Sequence, residues 1–289
     1  MFKRTLWLLG MVTALLLLAG CPDEQKTTDQ SSGYVSATEA YLTHFGKPPQ
    51  GKEGRAYARV AYLPMSNDPG KIRALPVFLY DEADQVTKIL RRLISDTLIL
   101  PSDSELYKPF PNDLQVTVSP VEDGTQTLHL QTAQSWDRTA QELTVQAFAE
   151  TALQFPETRR VRVTLNDKPL PDMPAEGYQH QPDMIDDVGL PQLVLMAGIW
   201  NGEESAPAEL LIEFDRPIRL NTFSLTDADG NKVAGDYYLS IFQMAVVVHP
   251  QEPERYQAGT PLHAVWDVID DLGRRSQGEK SMSLIRFTH

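Results

Sequence analysis

Thr139-Ala-Gln-Glu-Leu-Thr-Val-Gln-Ala-Phe-Ala-Glu-Thr-Ala-Leu-Gln-Phe-Pro-Glu-Thr-Arg-Arg-Val-Arg-Val-Thr-Leu165 changes its apolar period once, and that change decides the fold class. Val145, Phe148, Ala149 and Ala152 recur at i, i+3, i+4 and i+7, the spacing of one helical face. Thr139 with Glu142 three residues on forms a capping box that opens this helix, and Pro156 stops it. From Arg160 to Leu165 the apolar residues alternate, which is a strand.

Outward from this stretch the same two periods recur. Leu114-Gln-Val-Thr-Val118 and Thr127-Leu-His-Leu-Gln131 alternate around Glu122-Asp-Gly124, a hairpin signal. Val86, Ile89, Leu90, Leu93 and Ile94 trace a second helical face, with Lys88, Arg91 and Arg92 off the stripe as a solvated basic side. Val60-Ala-Tyr-Leu63 and Leu75-Pro-Val-Phe-Leu-Tyr80 read as strands. The order strand, strand, helix, hairpin, helix, strand predicts one antiparallel or mixed sheet with two helices on a face, an α+β layer spanning residues 55–171.

Those residues resemble the GerMN domain, named from a sporulation and germination lipoprotein. The resemblance rests on Ala61-Tyr-Leu-Pro64, the helix through Ile94, the Asp123-Gly124 hairpin, and Leu153-Gln-Phe-Pro156 followed by Val161-Arg-Val163. Two positions depart from the pattern. Asp96-Thr97 stands where Gly-Pro is common, and Asn166-Asp167 closes the last strand in place of Asp-Gly. The resemblance implies an envelope-assembly module of the kind that builds rings in secretion-type complexes, with no enzymatic residues.

Residues 172–190 carry repeated prolines and acids and read as a linker. From 191 to 289 no helical period stands out. Leu193-Val-Leu-Met196, Leu210-Leu-Ile-Glu-Phe214, Ala245-Val-Val-Val248, His263-Ala-Val-Trp-Asp-Val268 and Leu284-Ile-Arg-Phe287 are apolar runs between turn signals at Asp229-Gly230, Gly235-Asp236 and Leu272-Gly273. That spacing predicts an all-β sandwich. Ile212-Glu-Phe-Asp-Arg-Pro-Ile218 resembles an early strand of bacterial Ig-like domains.

The N-terminus has its own signature. Lys3 and Arg4 precede an apolar run of about 14 residues, short of the roughly 20 that span a bilayer. Leu18-Ala-Gly-Cys21 resembles the lipobox of bacterial lipoproteins, which implies a signal peptide over 1–20 and acyl chains, palmitate among them, on Cys21. Residues 21–54, polar and then rich in Gly and Pro, read as a flexible tether in which Ser36 with Glu39 could cap a short helix through Phe45. Pro22 rather than Asp follows the cysteine, which favours the periplasmic face of the outer membrane where the source has two membranes.

Charge and composition narrow the function. The chain carries 26 Lys and Arg against 39 Asp and Glu, a net charge of −13. Losing 1–20 removes Lys3 and Arg4 and no acid, leaving −15. Such a body is repelled by phosphate backbones, so no nucleic-acid partner is expected. Cys21 is the only cysteine, which excludes disulfides and, once lipidated, thiol chemistry. Asp227-Ala-Asp-Gly-Asn231 is read as a hairpin turn, because Lys232 and Tyr238 occupy the Gly and Glu positions of a calcium loop. Asp267, Asp270 and Asp271 lie beside a Leu272-Gly273 turn and could alternatively hold a cation. The six histidines show no metal spacing, and neither a nucleophile elbow nor a P-loop occurs. No cofactor or metal is expected. The expectation is a lipid-anchored, non-catalytic envelope protein that binds a protein partner. The alternative is a peptidoglycan- or glycan-binding lipoprotein using Trp200, which lies in a turn-like segment and reads first as an inter-sheet core residue, and an envelope hydrolase is the third class.

Overall fold

A helix buried on nearly every side sits at the middle of the first domain. A computed structural model describes residues 33–51, 54–95, 98, 100, 105–170 and 173–288 of the chain. Its first part contains β1 (Tyr34–Ala37), α1 (Glu39–Phe45), β2 (Arg55–Pro64), β3 (Ile72–Leu79), α2 (Gln85–Ile94), β4 (Gln115–Val118), β5 (Thr125–Gln131), α3 (Arg138–Leu153), β6 (Arg160–Leu165), β7 (Lys168–Pro169) and β8 (Ile185–Asp186). Every residue of α3 from Leu143 to Ala152 is buried. Its Val145, Phe148, Ala149 and Ala152 meet Leu63, Leu128 and Val163, while Ala147 packs with Val60 and Tyr62.

This arrangement corrects the single-sheet expectation. The domain has two four-stranded sheets, β1-β2-β3-β8 and β4-β5-β6-β7. A helix between two sheets must be covered on both sides, so its weak one-sided stripe understates its burial. The helix also closes an open edge. Gln154 accepts from the Val60 N–H at 2.8 Å and donates to the Val60 carbonyl at 2.6 Å, standing in for a strand where β1 ends. The helix is capped by Asp137, whose side chain accepts from Ala140 N–H at 3.0 Å, and not by Thr139. At the closing turn, Asn166 and Asp167 both take positive φ, 49° and 63°. Asn and Asp tolerate that region, so the hairpin forms without glycine.

Two expected loops belong to the fold. Part of the 21–54 tether is structured: β1 pairs in parallel with β2, from Tyr34 opposite Arg55 to Ala37 opposite Ala58. The following α1 is capped by Thr38 rather than Ser36 and buries Tyr41 and Phe45. The linker 172–190 is packed too, with β8 parallel to β3 and Val188 buried. Nonlocal pairing fixes both segments, and a polar composition does not record it.

The second part is an eight-stranded sandwich: β9 (Leu193–Trp200), β10 (Glu209–Phe214), β11 (Arg219–Asp227), β12 (Gly235–Leu239), β13 (Ala245–Pro250), β14 (Pro261–Ile269), β15 (Arg275–Ser283) and β16 (Ile285–Thr288). Sheet β12-β13-β10-β9-β16 faces sheet β11-β14-β15. Between them lie Met196, Leu210, Ile212, Phe214, Val246 and Val248 against Leu225, Leu262, Ala264 and Val268. Phe214 meets Trp266 edge to face, with centroids 5.9 Å apart. Gly235-Asp236, expected as a turn, instead begins β12. The chain is therefore an α+β domain followed by a β domain.

Candidate functional site

The expected contact residue is not at the surface. Trp200 is fully buried at the end of β9, inside the sandwich core, with the Arg286 guanidinium 4.9 Å from its ring centre. A Cβ at Gly198 would collide with that ring, so the glycine makes room for it. The turn-like flanks Gly198 and Asn201-Gly202 bracket a core tryptophan, and Trp200 cannot meet a partner or a sugar. Cys21 lies outside the described residues.

The acids singled out in the sequence hold the structure together. Asp227 Oδ1 accepts from the Asp229 and Asn231 N–H groups, and its Oδ2 accepts from Arg255 at 2.8 Å, closing a turn. Asp267 binds Arg275, Asn221 and Gln277, and the Arg275 bond leads in holding its carboxyl well below the usual carboxylate range. Asp270, 1% exposed, accepts from Arg274 Nε at 2.6 Å and lies 3.5 Å from Arg216. Asp271 Oδ2 accepts the Lys47 N–H at 2.7 Å. Each carboxylate is occupied by protein donors.

Of these, the bonds of Asp270 and Asp271 belong to the junction between the two domains. Arg216, also 1% exposed, donates to the carbonyls of Val188, Gly189 and Leu190 and to both oxygens of Asp215. It thereby ties the connecting segment to the sandwich. Arg274 donates to the His44 carbonyl at 2.7 Å, which fastens the end of α1 to the β14–β15 turn. Burial, and then the Arg274 charge, lowers the His44 pKa, so the ring that bonds the Tyr62 hydroxyl is held neutral. Phe78 of β3 stacks on Phe242 at 4.2 Å and 5°.

Beside this junction the domains enclose a cleft of about 520 Å³. Leu75, Phe78 and Leu93 form one wall, and Leu195, Phe214 and Met244 the other. Tyr80, 68% exposed, leans on Phe242 at the rim, and Ile241, next to Phe242 in the chain, is 56% exposed. The cleft's one unpaired acid is Glu213, beside a register break between β10 and β9; such bulges re-aim side chains. Among the described residues Glu213 has no hydrogen-bond or ion-pair partner. Burial pushes its pKa up, while the Arg92 guanidinium across the cleft pulls the other way. The other acids of the wall are paired: Glu105 with Arg73 at 2.6 Å, and Asp215 with Arg216 at 2.8 Å. The wall thus offers apolar side chains, one reluctant carboxyl and the Arg92 guanidinium, its Arg73 and Arg216 being taken up by Glu105 and Asp215, a surface suited to burying apolar groups. Sequence reading missed this site because its walls come from segments more than a hundred residues apart.

Residues 60–171 match a protein-family model named Germane, described as sporulation and spore germination. Among solved structures, the chain is similar to the first GerMN domain of the sporulation protein GerM from Bacillus subtilis. That match has 22% identity and a TM-score of 0.34, and covers 43% of this chain and 93% of the other. The tandem GerMN domains of the same protein match at 18% identity and a TM-score of 0.35, over 62% of this chain and 58% of the other. CopC from Methylosinus trichosporium OB3b matches at 11% identity and a TM-score of 0.22, over 32% of this chain and 88% of the other. No curated protein matches. The α+β domain is of the GerMN type.

Proposed function

We propose that this chain is a lipid-anchored, non-catalytic component of the cell envelope that binds a protein partner through the cleft between its GerMN-type domain and its β-sandwich. Acyl chains on Cys21 hold it on the exported side of the membrane, on the periplasmic face of the outer membrane where two membranes exist. Anchoring of this kind needs more than one chain, each buried methylene contributing about 0.8 kcal/mol. The role in sporulation or germination that the matching family describes is carried over as part of this reading.

The observation that carries it is the apolar cleft, with Tyr80 exposed at its rim and Ile241 exposed beside the lining residue Phe242 in the chain. Protein interfaces gain most of their energy from a few apolar or aromatic side chains seated in such pockets. The partner should present an apolar anchor with a hydrogen-bond donor placed to meet Glu213. The test is crosslinking in intact cells of a C-terminally tagged chain, followed by capture. One dominant envelope protein should be recovered with the wild type and lost with Tyr80→Asp/Ile241→Asp. Unchanged capture by that variant, or recovery of wall fragments alone, overturns the reading.

A further inference from the structure

A second surface is separate from the cleft, on the sheet β4-β5-β6-β7. One face of this sheet, carrying Val116, Leu128, Leu130, Val161 and Val163, is core. Residues opposite one another across strands share a face, so the other face follows from the register. Thr125 pairs with Arg160, Thr127 with Arg162, His129 with Thr164 and Thr117 with His129. Arg160, Arg162 and Thr117 are exposed and the rest half-buried.

The face is basic on a protein of net charge −13. It carries no carboxylate at any of these positions. Arg160 and Arg162 lie side by side in the register's alternating positions of β6, both exposed and with no ion pair among the described residues. Its middle is rigid, because His129 bonds Ser119 at 2.9 Å through Nε2 and Thr164 at 3.0 Å through Nδ1. That row of bonds crosses from the end of β4 to β6. Its one apolar member is Pro169, exposed opposite Thr164 on the edge strand β7, so the face has no large aromatic or aliphatic anchor of the kind on which protein interfaces depend.

We propose that this face binds a linear acidic polysaccharide, with Arg160 and Arg162 gripping its carboxylates and the Thr, Gln115 and Gln131 side chains bonding its hydroxyls. Donors repeat about every 4.8 Å across strands and about 6.7 Å along them, a grid on the scale of successive sugars. Guanidinium groups suit carboxylates because they bind them with two parallel hydrogen bonds. The protein would then hold the membrane by its lipid and an acidic glycan by this sheet.

The test uses the full chain in detergent micelles and a ten-residue oligogalacturonate, with a dextran oligomer, polyglutamate and a single-stranded oligonucleotide as competitors. Oligogalacturonate should bind, more weakly as salt rises, and dextran should not. Arg160→Glu/Arg162→Glu should weaken binding about tenfold or more with the melting temperature retained, the loss expected for a charge-assisted contact. Arg91→Glu, on the exposed side of α2, should leave it unchanged. Failure of oligogalacturonate to bind, equal binding by the double variant, or binding of polyglutamate or the oligonucleotide at least as tight would each overturn the proposal.

Discussion

Replacing Arg216 by Met tests how the two domains are held together. The guanidinium is 1% exposed and donates to three backbone carbonyls and to Asp215, with Asp270, also 1% exposed, 3.5 Å away. Methionine fills similar volume but supplies no donor. The carbonyls of 188–190 lose their side-chain partner, and Asp270 keeps only Arg274. Removing one member of a buried ion pair costs about 3–5 kcal/mol, mostly because a charge is left behind. Part of that is softened here by Arg274, so we expect about 3 kcal/mol. This is a large share of a net stability of about 5–15 kcal/mol. Urea unfolding followed by tryptophan fluorescence measures it, and Trp200 and Trp266 both lie in the sandwich core. Adding Asp270→Asn to Arg216→Met removes the stranded charge and should recover a part of the loss. A single-variant cost below about 1 kcal/mol, or no recovery in the double variant, would refute the account of Arg216 as the junction's clamp.

Glu213→Gln should stabilise the protein at neutral pH. A folded pKa raised above the ordinary 4.5 means that stability is lost as pH climbs from about 4.5 through the folded value. The wild-type decline over that window should flatten in the variant, as read from denaturation midpoints across pH. Gly46→Ala should cost about 2 kcal/mol, because φ is 75° with ψ −152° and a Cβ would stand 2.5 Å from Asp271 Oδ2. Hydrogen exchange should show faster opening of α1, whose following Lys47 N–H bonds that carboxylate. Trp200→Ala should lower stability by about 3–5 kcal/mol, as a core truncation does, while leaving sedimentation with cell-wall sacculi unchanged per folded molecule.

The helices, the hairpin and both domain classes could be read from local patterns. The 3.6 period of Val86 to Ile94 and the alternation of Arg160 to Leu165 follow directly from which face each element buries. What could not be read depends on distant partners. Arg275-Ser-Gln-Gly-Glu-Lys-Ser-Met-Ser283 shows no strand pattern, yet forms β15, because β14 supplies its ladder along the whole length. Tyr34-Val-Ser-Ala37 looks like tether until Arg55–Ala58 is laid beside it. The turn-like flanks of Trp200 leave both a surface contact and an inter-sheet core role open in the sequence, and the room made by Gly198 puts it in the core. The cleft was invisible for the same reason, since Glu213 and Arg92 lie far apart in sequence and meet only when the domains close on each other. The proposed lipidation of Cys21 is the opposite case, read from four residues that lie outside the described structure.

The central claim is that a protein partner enters the cleft, and site-specific photo-crosslinking tests it most directly. A benzophenone amino acid at Ile241, exposed and next in the chain to the lining residue Phe242, should give one dominant crosslink to an envelope protein in intact cells. The same group at Val265, exposed on the far sheet of the sandwich, should give none. A crosslink of equal strength from both positions, or none from Ile241, would contradict the claim that the cleft is where this protein meets its partner.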